Sequence, residues 1–591
     1  MVKSRTRTQP TPAARPAYGP ALIAFTLFAI AAWLIYGRAL DAPYIFDDLI
    51  SVEDNPSITR LWPLFGSADR RGPLNPATET PTSARPLVNL SFALNYHFTQ
   101  RDPRGFRLTN AMLHVLNATL LWALVRRTLL LPYFGERFDR VAGLLAFLAA
   151  LLWLLHPLAT EAVAYITQRS ELLVAFFNLA TLYASLRYWT ATAPRPRTAW
   201  LTLAVFASAA GMASKEVMVS APLVVLLFER TFIAPTFRQA LRQSWPLYLG
   251  LAATWLLLLG LQLDRPRSLS AGFGLGTPLV DYWATQAKVF LMYLKLAVYP
   301  SPLLLHYELS LQSISKNWLQ IIAVIVLVAG AAYLLWRRHP VGFLAACVFA
   351  ILAPTHIIPI PSEMAAERRM YLPLAALATL VVVGGYVLVE RLANRAMRDR
   401  STLTHRPRWI AAAGTLALFV LLAYGMASAR RAAEYNDPAI LWHQVVVDQP
   451  RSHVAHHGLA VRLFEDGRLE EAVAHYREAI RLHAKYPEAQ YGLGLALMEL
   501  GRPNEAVEPF RVVVGLKPDA ERIRNNLGVA LFSAGRFDEA IDVFEEVLER
   551  NPRMWEAHDN LGRALRQAGR DEEARKHFDE AARLQRAPNA N

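Results

Sequence analysis

The sequence predicts an all-α protein in which a polytopic helical membrane domain is followed by a solenoid of short helical repeats. Apolar stretches recur between about residues 20 and 430, and a spanning helix needs about 20 mostly apolar residues. Charged residues then become dense, and a pattern of fixed spacing begins. Of the 591 residues 54% are hydrophobic, and the mean hydropathy is +0.21. That composition is too apolar for an ordinary soluble enzyme of this size.

The charge and the cysteine content exclude two further classes. The net charge is +14, but the basic residues fall mostly in short loops between apolar stretches, which is typical of membrane topology. We therefore predict no nucleic-acid partner. The single cysteine, Cys347, lies within an apolar stretch, so neither a disulfide framework nor a thiolate metal cluster is expected.

About eleven spans are predicted from the length of the apolar stretches. The first follows a basic cytoplasmic segment, 1–19, and is too long for the apolar part of a signal peptide, with no small-residue cleavage site after it. The predicted spans lie near 20–38, 108–131, 141–157, 171–189, 198–214, 216–229, 245–263, 318–336, 341–358, 370–390 and 409–427.

The basic loops indicate the orientation of these spans, because Lys and Arg are enriched on the cytoplasmic side. With 1–19 in the cytoplasm, the basic loops all lie inside: "RRTLLLPYFGERFDR", "RYWTATAPRPR", "ERTFIAPTFRQALRQ", "RRHP" and "ERLANRAMRDRSTLTHRPR". This holds only if 281–299, which contains Lys288 and Lys295, is a surface or re-entrant helix rather than a span. The long loop 39–107 and the C-terminus are then both outside.

From residue 453 the sequence repeats with a spacing of 34 residues. Gly467, Gly501, Gly535 and Gly569 mark turns between helices, and aromatic residues recur at Tyr476, Phe510, Phe544 and Phe578. Period and pattern resemble tetratricopeptide repeats, four of which would form a curved solenoid. Small residues would let paired helices approach, with the aromatic residue between neighbouring hairpins. The concave face of such a solenoid usually binds protein, although a spacer or dimerisation arm is an alternative.

Four predicted outer loops bring charged residues next to the membrane, where charge is costly unless it is paired or serves a ligand. The first contains Asp47 and Asp48, followed by an amphipathic segment "TSARPLVNLSFALNYHF" that we expect on the membrane surface. The other three contribute the following residues: His156, Glu161, Arg169 and Glu171; Lys215 and Glu216; and Glu363, Glu367, Arg368, Arg369 and Tyr371. Arginines can hold a phosphate, and a carboxylate can take a proton from a hydroxyl.

The ordered set of motifs resembles a known family. "FDD…NP", "RPL…LNY", "HP…TEAV…R…LL", "KE" and "AER..YLP", followed by the repeats, are similar to the transmembrane and tetratricopeptide-repeat (TMTC-like) protein O-mannosyltransferases, which have the GT-C glycosyltransferase fold. The resemblance implies a GT-C-like domain at 20–430 with its first outer loop at 39–107, a linker helix at 431–452 and a repeat domain at 453–588.

The resemblance also implies a chemistry. A sugar, mannose or another hexose, is moved with inversion from a polyprenyl or dolichyl phosphate to a Ser or Thr hydroxyl of an acceptor protein that the repeats recruit. Asp48 is expected to be the base and Asp47 its partner. The phosphate of the donor is expected to bind Arg368, Arg369, Arg169 and Lys215. The acceptor is expected to be oriented by Glu161, His156, Glu367 and Tyr371.

Several points stay open at this level. No obligatory metal is expected, although Asp47 and Asp48 could bind Mg²⁺ or Mn²⁺. Membrane lipids are expected partners, in a bacterial inner membrane with periplasmic repeats, or in the endoplasmic reticulum membrane if the chain is eukaryotic. The alternatives are transfer to a glycolipid or cell-wall polymer, and a membrane-anchored repeat scaffold without catalysis.

Overall fold

The computed structural model describes residues 19–67, 71–77, 80–264, 271–398 and 406–586. These residues form helices joined by turns and loops, and no strand is found among them. The chain divides into two compact units, with the boundary between Asp437 and Pro438. The short segment Leu304–Glu308 belongs with the second unit.

The first unit contains fifteen α-helices within the described residues. They are α1 (Gly19–Tyr36), α2 (Pro86–Thr99), α3 (Pro103–Leu129), α4 (Ala142–Leu154), α5 (Thr160–Ala164), α6 (Arg169–Thr190), α7 (Pro194–Met212), α8 (Ala221–Phe232), α9 (Phe237–Gln243), α10 (Trp245–Asp264), α11 (Leu279–Val298), α12 (Ile314–Trp336), α13 (Pro340–Ile357), α14 (Tyr371–Arg398) and α15 (Arg406–Glu434). Helix α3 packs against α1, α4 and α6, and α13 packs against α12 and α14.

Seven helices among the described residues are long and apolar enough to cross a membrane, or up to nine if each of two bent pairs is one span. The bent pairs are Ala142–Leu154 with Pro157–Ala164, at 61°, and Glu216–Phe232 with Phe237–Gln243, at 111°. These nine coincide with predicted spans. The other two predicted spans form α6 and α7, which are less apolar. In α6 the polar side chains of Asn178, Thr181 and Ser185 are buried inside the protein. Because these side chains do not face lipid, α6 can be less apolar than the other spans.

Two segments that were predicted to lie at the membrane surface, 281–299 and the amphipathic part of the first loop, both form helices. The segment predicted as a surface or re-entrant helix forms α11, which has 20 residues but is not one of the described helices that are apolar enough to cross a membrane. The amphipathic segment of the first loop forms α2, and α3 begins at Pro103, five residues before the predicted start of its span.

The second unit contains α16 (Pro438–Asp448) and four helical hairpins. The hairpin helices are α17 (His453–Glu465), α18 (Leu469–Leu482), α19 (Pro487–Glu499), α20 (Pro503–Leu516), α21 (Glu521–Ser533), α22 (Phe537–Arg550), α23 (Trp555–Gln567) and α24 (Asp571–Arg586). The predicted repeats are therefore confirmed. The predicted linker region 431–452 contains the end of α15 and the separate helix α16.

The turn glycines and the repeat aromatics have distinct roles. Gly467, Gly501, Gly535 and Gly569 have φ between +68° and +78°, a conformation that favours glycine after a helix. A Cβ at Gly528 of α21 would lie 2.4 Å from Cε1 of Phe544. Tyr476 of α18 lies against Gly492 of α19 and therefore sits between neighbouring hairpins, as the sequence predicted. Phe544 instead packs against α21 within its own hairpin, so the prediction does not hold for this aromatic. The lack of a side chain at Gly528 makes this close approach possible.

We expect Gly528→Ala to destabilise the third hairpin by about 1–3 kcal/mol, because the new methyl group overpacks against Phe544. Gly515→Ala in α20 is the matched control. A Cβ there meets nothing within 4 Å, and alanine favours the helix by up to about 1 kcal/mol. Hydrogen exchange of α21 and α22 in the full-length protein should accelerate for Gly528→Ala only. Equal exchange in both variants would contradict this packing.

Candidate functional site

The two acidic residues of the first loop point into different environments. They follow Phe46, whose φ of +46° is strained for a residue other than glycine. The amide of Asp48 donates to the carbonyl of Ile45 at 2.9 Å, closing a tight turn. Asp48 is fully buried, whereas Asp47 is only half-buried. Adjacent carboxylates therefore have different access to a ligand.

Buried Asp48 is held by neutral donors. Its Oδ1 accepts hydrogen bonds from the amide and hydroxyl of Thr167, at 2.8 and 2.6 Å, and its Oδ2 accepts from the amide of Ile45 at 3.3 Å. Burial raises the pKa of Asp48 to about 6, although the Thr167 hydroxyl and the charge of Arg107 act in the opposite direction. Asp48 therefore fastens the loop to the segment after α5.

Asp47 lies beside Tyr165, which follows α5. The amide of Asp47 donates to the Tyr165 hydroxyl at 3.1 Å. Burial raises the pKa of Tyr165 well above its usual value, the Asp47 and Asp48 carboxylates add to this, and Arg368 opposes it. The start of the acidic loop is thus hydrogen-bonded to the residue that follows α5.

Arg368 lies in an ion-pair cluster with Glu161 and Glu363. Its amide and its Nη1 donate to the two carboxylate oxygens of Glu161, at 2.8 and 2.6 Å, and its Nη2 donates to Glu363. Arg369 also contacts Glu363, with Nη2 at 3.3 Å from Oε2. The structure thus brings together Arg368, Arg369 and Glu161, as the sequence predicted for one site.

Glu367, which was predicted to orient the acceptor, immediately precedes Arg368 and forms a separate ion pair. Its side chain is fully buried, and its Oε1 is 3.8 Å from Nη2 of Arg431 near the end of α15. Arg431 also donates to Glu434 at 2.8 Å. This buried pair connects α15 to the residue that immediately precedes Arg368.

Arg107 is a residue that the sequence analysis missed. From α3 it donates to the carbonyls of Ala164 at 3.0 Å and Pro43 at 2.6 Å, and it also donates to the carbonyl of Ala42. One guanidinium therefore fixes the start of the acidic loop to the end of α5. Two arginines, Arg104 and Arg107, stand in the first turns of this mostly apolar helix, and no signal in the sequence distinguishes the buried one from the exposed one.

A buried amide network fixes the rest of the loop to α2. The Asn89 amide group donates to the Ser57 hydroxyl at 3.0 Å and to the Pro73 carbonyl at 2.8 Å. Its oxygen accepts from Asn55 at 2.9 Å and from Thr82 at 3.2 Å. Asn55 belongs to the "NP" motif and Asn89 follows the "RPL" motif by two residues; the sequence alone did not explain the role of either motif.

Arg169 is not available for the predicted phosphate contact. It is fully buried, and its nitrogens donate to Asn110 Oδ1 at 2.8 Å, Ser91 O at 3.1 Å and Phe106 O at 2.8 Å. Its guanidinium also lies 4.7 Å from the ring centre of Phe92. Because its hydrogen-bonding capacity is used inside the protein, Arg169 joins α2, α3 and α6.

Lys215 is likewise engaged in a buried ion pair. Its Nζ lies 2.6 Å from Glu171, and a second pair joins Arg85 to Glu216 at 2.8 Å. Burial lowers the pKa of Lys215 to about 8, while Glu171 acts to raise it. The predicted phosphate contact by Lys215 would require breaking this pair, so we assign it a structural role.

His156 and Tyr371 also serve the fold rather than an acceptor. Nδ1 of His156 accepts from the Leu158 amide at 3.2 Å, so Nε2 donates to the Ala297 carbonyl at 3.1 Å. The buried hydroxyl of Tyr371 lies 2.7 Å from Nδ1 of His114. Within the described ranges, no group of three or more His, Cys, Asp or Glu side chains could hold a metal ion.

We expect Asp48 to make stability depend on pH. Its pKa of about 6 in the folded protein exceeds the ordinary value of 3.8. The folded state therefore keeps a proton that the unfolded state has released, and the free energy of unfolding falls by up to about 3 kcal/mol between about pH 4 and 6. Asp48→Asn should lose this slope in thermal unfolding from pH 4 to 8. Asp54→Asn, at an exposed position of the same loop, should retain it; equal slopes in both variants would contradict the burial of the Asp48 charge.

We expect Arg169→Gln to lower the free energy of unfolding by about 3 kcal/mol or more, since it leaves several buried carbonyls without donors. Arg104→Gln removes an exposed pair with Asp41 and should cost at most about 1 kcal/mol. Thermal unfolding in detergent measures both. Normal stability of Arg169→Gln with weakened donor binding would instead support the phosphate-binding role.

Comparison with known proteins first identifies the repeats. Profiles described as "Tetratricopeptide repeat" match residues 525–591 and 488–520, and a "TPR repeat" profile matches residues 462–501. Among solved structures, YrrB, titled a TPR protein with an unusual peptide-binding site, is 22% identical with a TM-score of 0.25, covering 29% of this chain and 83% of YrrB.

Curated relatives carry one common name. Protein O-mannosyl-transferase TMTC1 of Mus musculus is 32% identical over 240 residues, which is 39% of this chain and 24% of that protein. Protein O-mannosyl-transferase Tmtc3 of Drosophila melanogaster is 30% identical, over 31% of this chain and 21% of its own length. The match therefore spans about a quarter or less of these relatives. Over that matched part the chain is TMTC-like, and it is a membrane protein with C-terminal tetratricopeptide repeats.

Proposed function

We propose that this protein is a membrane glycosyltransferase that moves a sugar from a polyprenyl or dolichyl phosphate to Ser or Thr hydroxyls of an acceptor protein. The similarity to proteins named O-mannosyl-transferases supports the class of reaction. The observation that most favours it is the segment 161–165, in which Tyr165 accepts a hydrogen bond from the Asp47 amide and Glu161 binds Arg368. The acidic loop and the arginine segment are therefore both hydrogen-bonded to the same short segment.

Asp47 is the general base in this proposal, with Asp48 as its positioning residue. The sequence alone favoured the reverse order. A base must come within about 3 Å of the acceptor hydroxyl, and Asp48 is fully buried with both oxygens bonded to Thr167 and Ile45. Asp47 is half-buried and adjoins Tyr165, so an acceptor can approach it.

The reaction is a single displacement. Asp47 accepts the proton of the acceptor hydroxyl while its oxygen bonds to the anomeric carbon. The bond from that carbon to the lipid phosphate breaks, and the phosphate keeps the electron pair. Because attack occurs opposite the leaving phosphate, the configuration is inverted.

Arg368 and Arg369 stabilise the departing phosphate. Positive charge aimed at a leaving group that gains negative charge lowers the barrier. Arg368 binds two carboxylates that differ in exposure. The side chain of Glu161 is 2% exposed, whereas that of Glu363 is 31% exposed. Glu363 is therefore the carboxylate that a donor phosphate would displace. Glu161 and Glu367 position the arginine segment rather than touch the acceptor.

The repeats recruit the acceptor protein, because stacked tetratricopeptide hairpins commonly bind extended protein segments. The basic loops favour a cytoplasmic N-terminus, with the acidic loop and the repeats on the other side of the membrane. In a bacterium this arrangement corresponds to the inner membrane and the periplasm.

The proposal is tested with the full-length protein in lipid nanodiscs, a panel of radiolabelled polyprenyl-phosphate sugars and a periplasmic extract as acceptor. We expect Asp47→Asn to reduce transfer to protein about 100-fold or more, because general-base catalysis contributes that much. Asp54→Asn is the matched control at an exposed site in the same loop and should transfer normally.

Three outcomes would oppose the proposal. Label found in lipid or polymer rather than protein would favour the glycolipid alternative. No transfer from any donor by the folded wild type would favour the scaffold. Full activity of Asp47→Asn would remove Asp47 as the base.

A further inference from the structure

A long apolar groove runs along α14 in the first unit. Its volume is about 600 Å³, and its walls also include residues of α3, α6, α8 and α13. The α14 residues that line it extend from Leu372 to Arg391 and recur every three or four positions, so they form one face of the helix. Nineteen helical steps of 1.5 Å span about 28 Å, close to the ~30 Å thickness of a bilayer's hydrocarbon core.

Small residues on α14 create this groove. Ala375, Ala376 and Gly384 lie on the lining face, and a Cβ at Gly384 would meet only the end of the Leu380 side chain, at 4.0 Å. Water is unfavourable against such apolar walls at membrane depth. A hydrocarbon chain is therefore the occupant that fits the groove.

The far end of the groove is polar and basic. Arg137, His339 and Arg391 line it there, and Arg137 forms an ion pair with Glu390. Two arginines against one carboxylate leave an excess of positive charge. Tyr133, also at this end, donates its hydroxyl to the Arg338 carbonyl at 2.7 Å. Basic side chains at the end of an apolar groove are complementary to a phosphate headgroup.

This end is remote from the proposed catalytic site. Arg368 lies three residues before α14 begins, whereas Arg391 lies near the other end of the same helix. The separation along the helix is about 30 Å. A donor phosphate held at Arg137 and Arg391 would be too far from Arg368 to react there, so a headgroup bound at this basic end belongs to a second lipid.

We propose that the groove binds one chain of an anionic phospholipid, with its phosphate between Arg137 and Arg391. The lipid fills the space between α14 and the helices around it. The site is independent of the glycosyl donor and of the proposed reaction.

The test is native mass spectrometry of the delipidated full-length protein with added phosphatidylglycerol or phosphatidylcholine. The wild type should bind phosphatidylglycerol at least 10-fold more tightly than phosphatidylcholine. Gly384→Leu fills the groove and should weaken phosphatidylglycerol binding at least 10-fold. Gly385→Leu is the matched control, since it makes the same change on the same helix but outside the groove, and it should bind normally.

The double variant Arg137→Gln/Arg391→Gln tests the headgroup end separately. It should bind phosphatidylcholine as before but lose the preference for phosphatidylglycerol. Equal binding by Gly384→Leu and Gly385→Leu would overturn the proposal. Equal affinity of the wild type for both phospholipids, or binding of polyprenyl phosphate alone, would do so as well. None of these measurements depends on sugar transfer.

Discussion

The architecture of the acidic loop depends on burying charged groups among neutral donors and acceptors at the end of apolar helices. Arg107 donates to the carbonyls of Ala42, Pro43 and Ala164, and Asp48 accepts from Thr167 and Ile45. A buried charge without such partners would cost several kcal/mol. These two residues therefore hold a strained turn at Phe46 and leave Asp47 as the more accessible carboxylate.

The polar residues of the loops that were predicted to lie outside divide into two groups, according to how many of their polar atoms are hydrogen-bonded inside the protein. Arg169, Lys215 and His156 use their polar atoms on neighbouring helices, so they stabilise the arrangement of α2, α3 and α6 and of the loops between them. Arg368 is different, because one of its two carboxylate partners is nearly a third exposed. A partly exposed ion pair can exchange a partner for a ligand, whereas a buried one cannot without a large cost.

The two ends of α14 have separate proposed roles. The segment before the helix carries Arg368, which binds Glu161 of α5, and Glu367 connects that segment to Arg431 of α15. The opposite end supplies Arg391 to the mouth of the apolar groove. An apolar helix about as long as the hydrocarbon core keeps these ends apart, so a donor lipid and a phospholipid can occupy the protein without competing for one phosphate site.

The sequence by itself determined the all-helical class, the apolar helices and the repeats, because hydrophobic runs and a 34-residue period are local patterns. It also grouped Arg368 with Glu161, since both stand in short loops at span ends. It did not identify Arg107 or Asn89, nor separate Arg169 from Arg368. Those distinctions depend on contacts between residues that are distant in the sequence, such as Asn89 with Asn55, Arg169 with Asn110 and Asp48 with Thr167. Only the tertiary structure decided which charged side chains have all their polar atoms in buried hydrogen bonds, because these bonds depend on the residues that pack around each side chain.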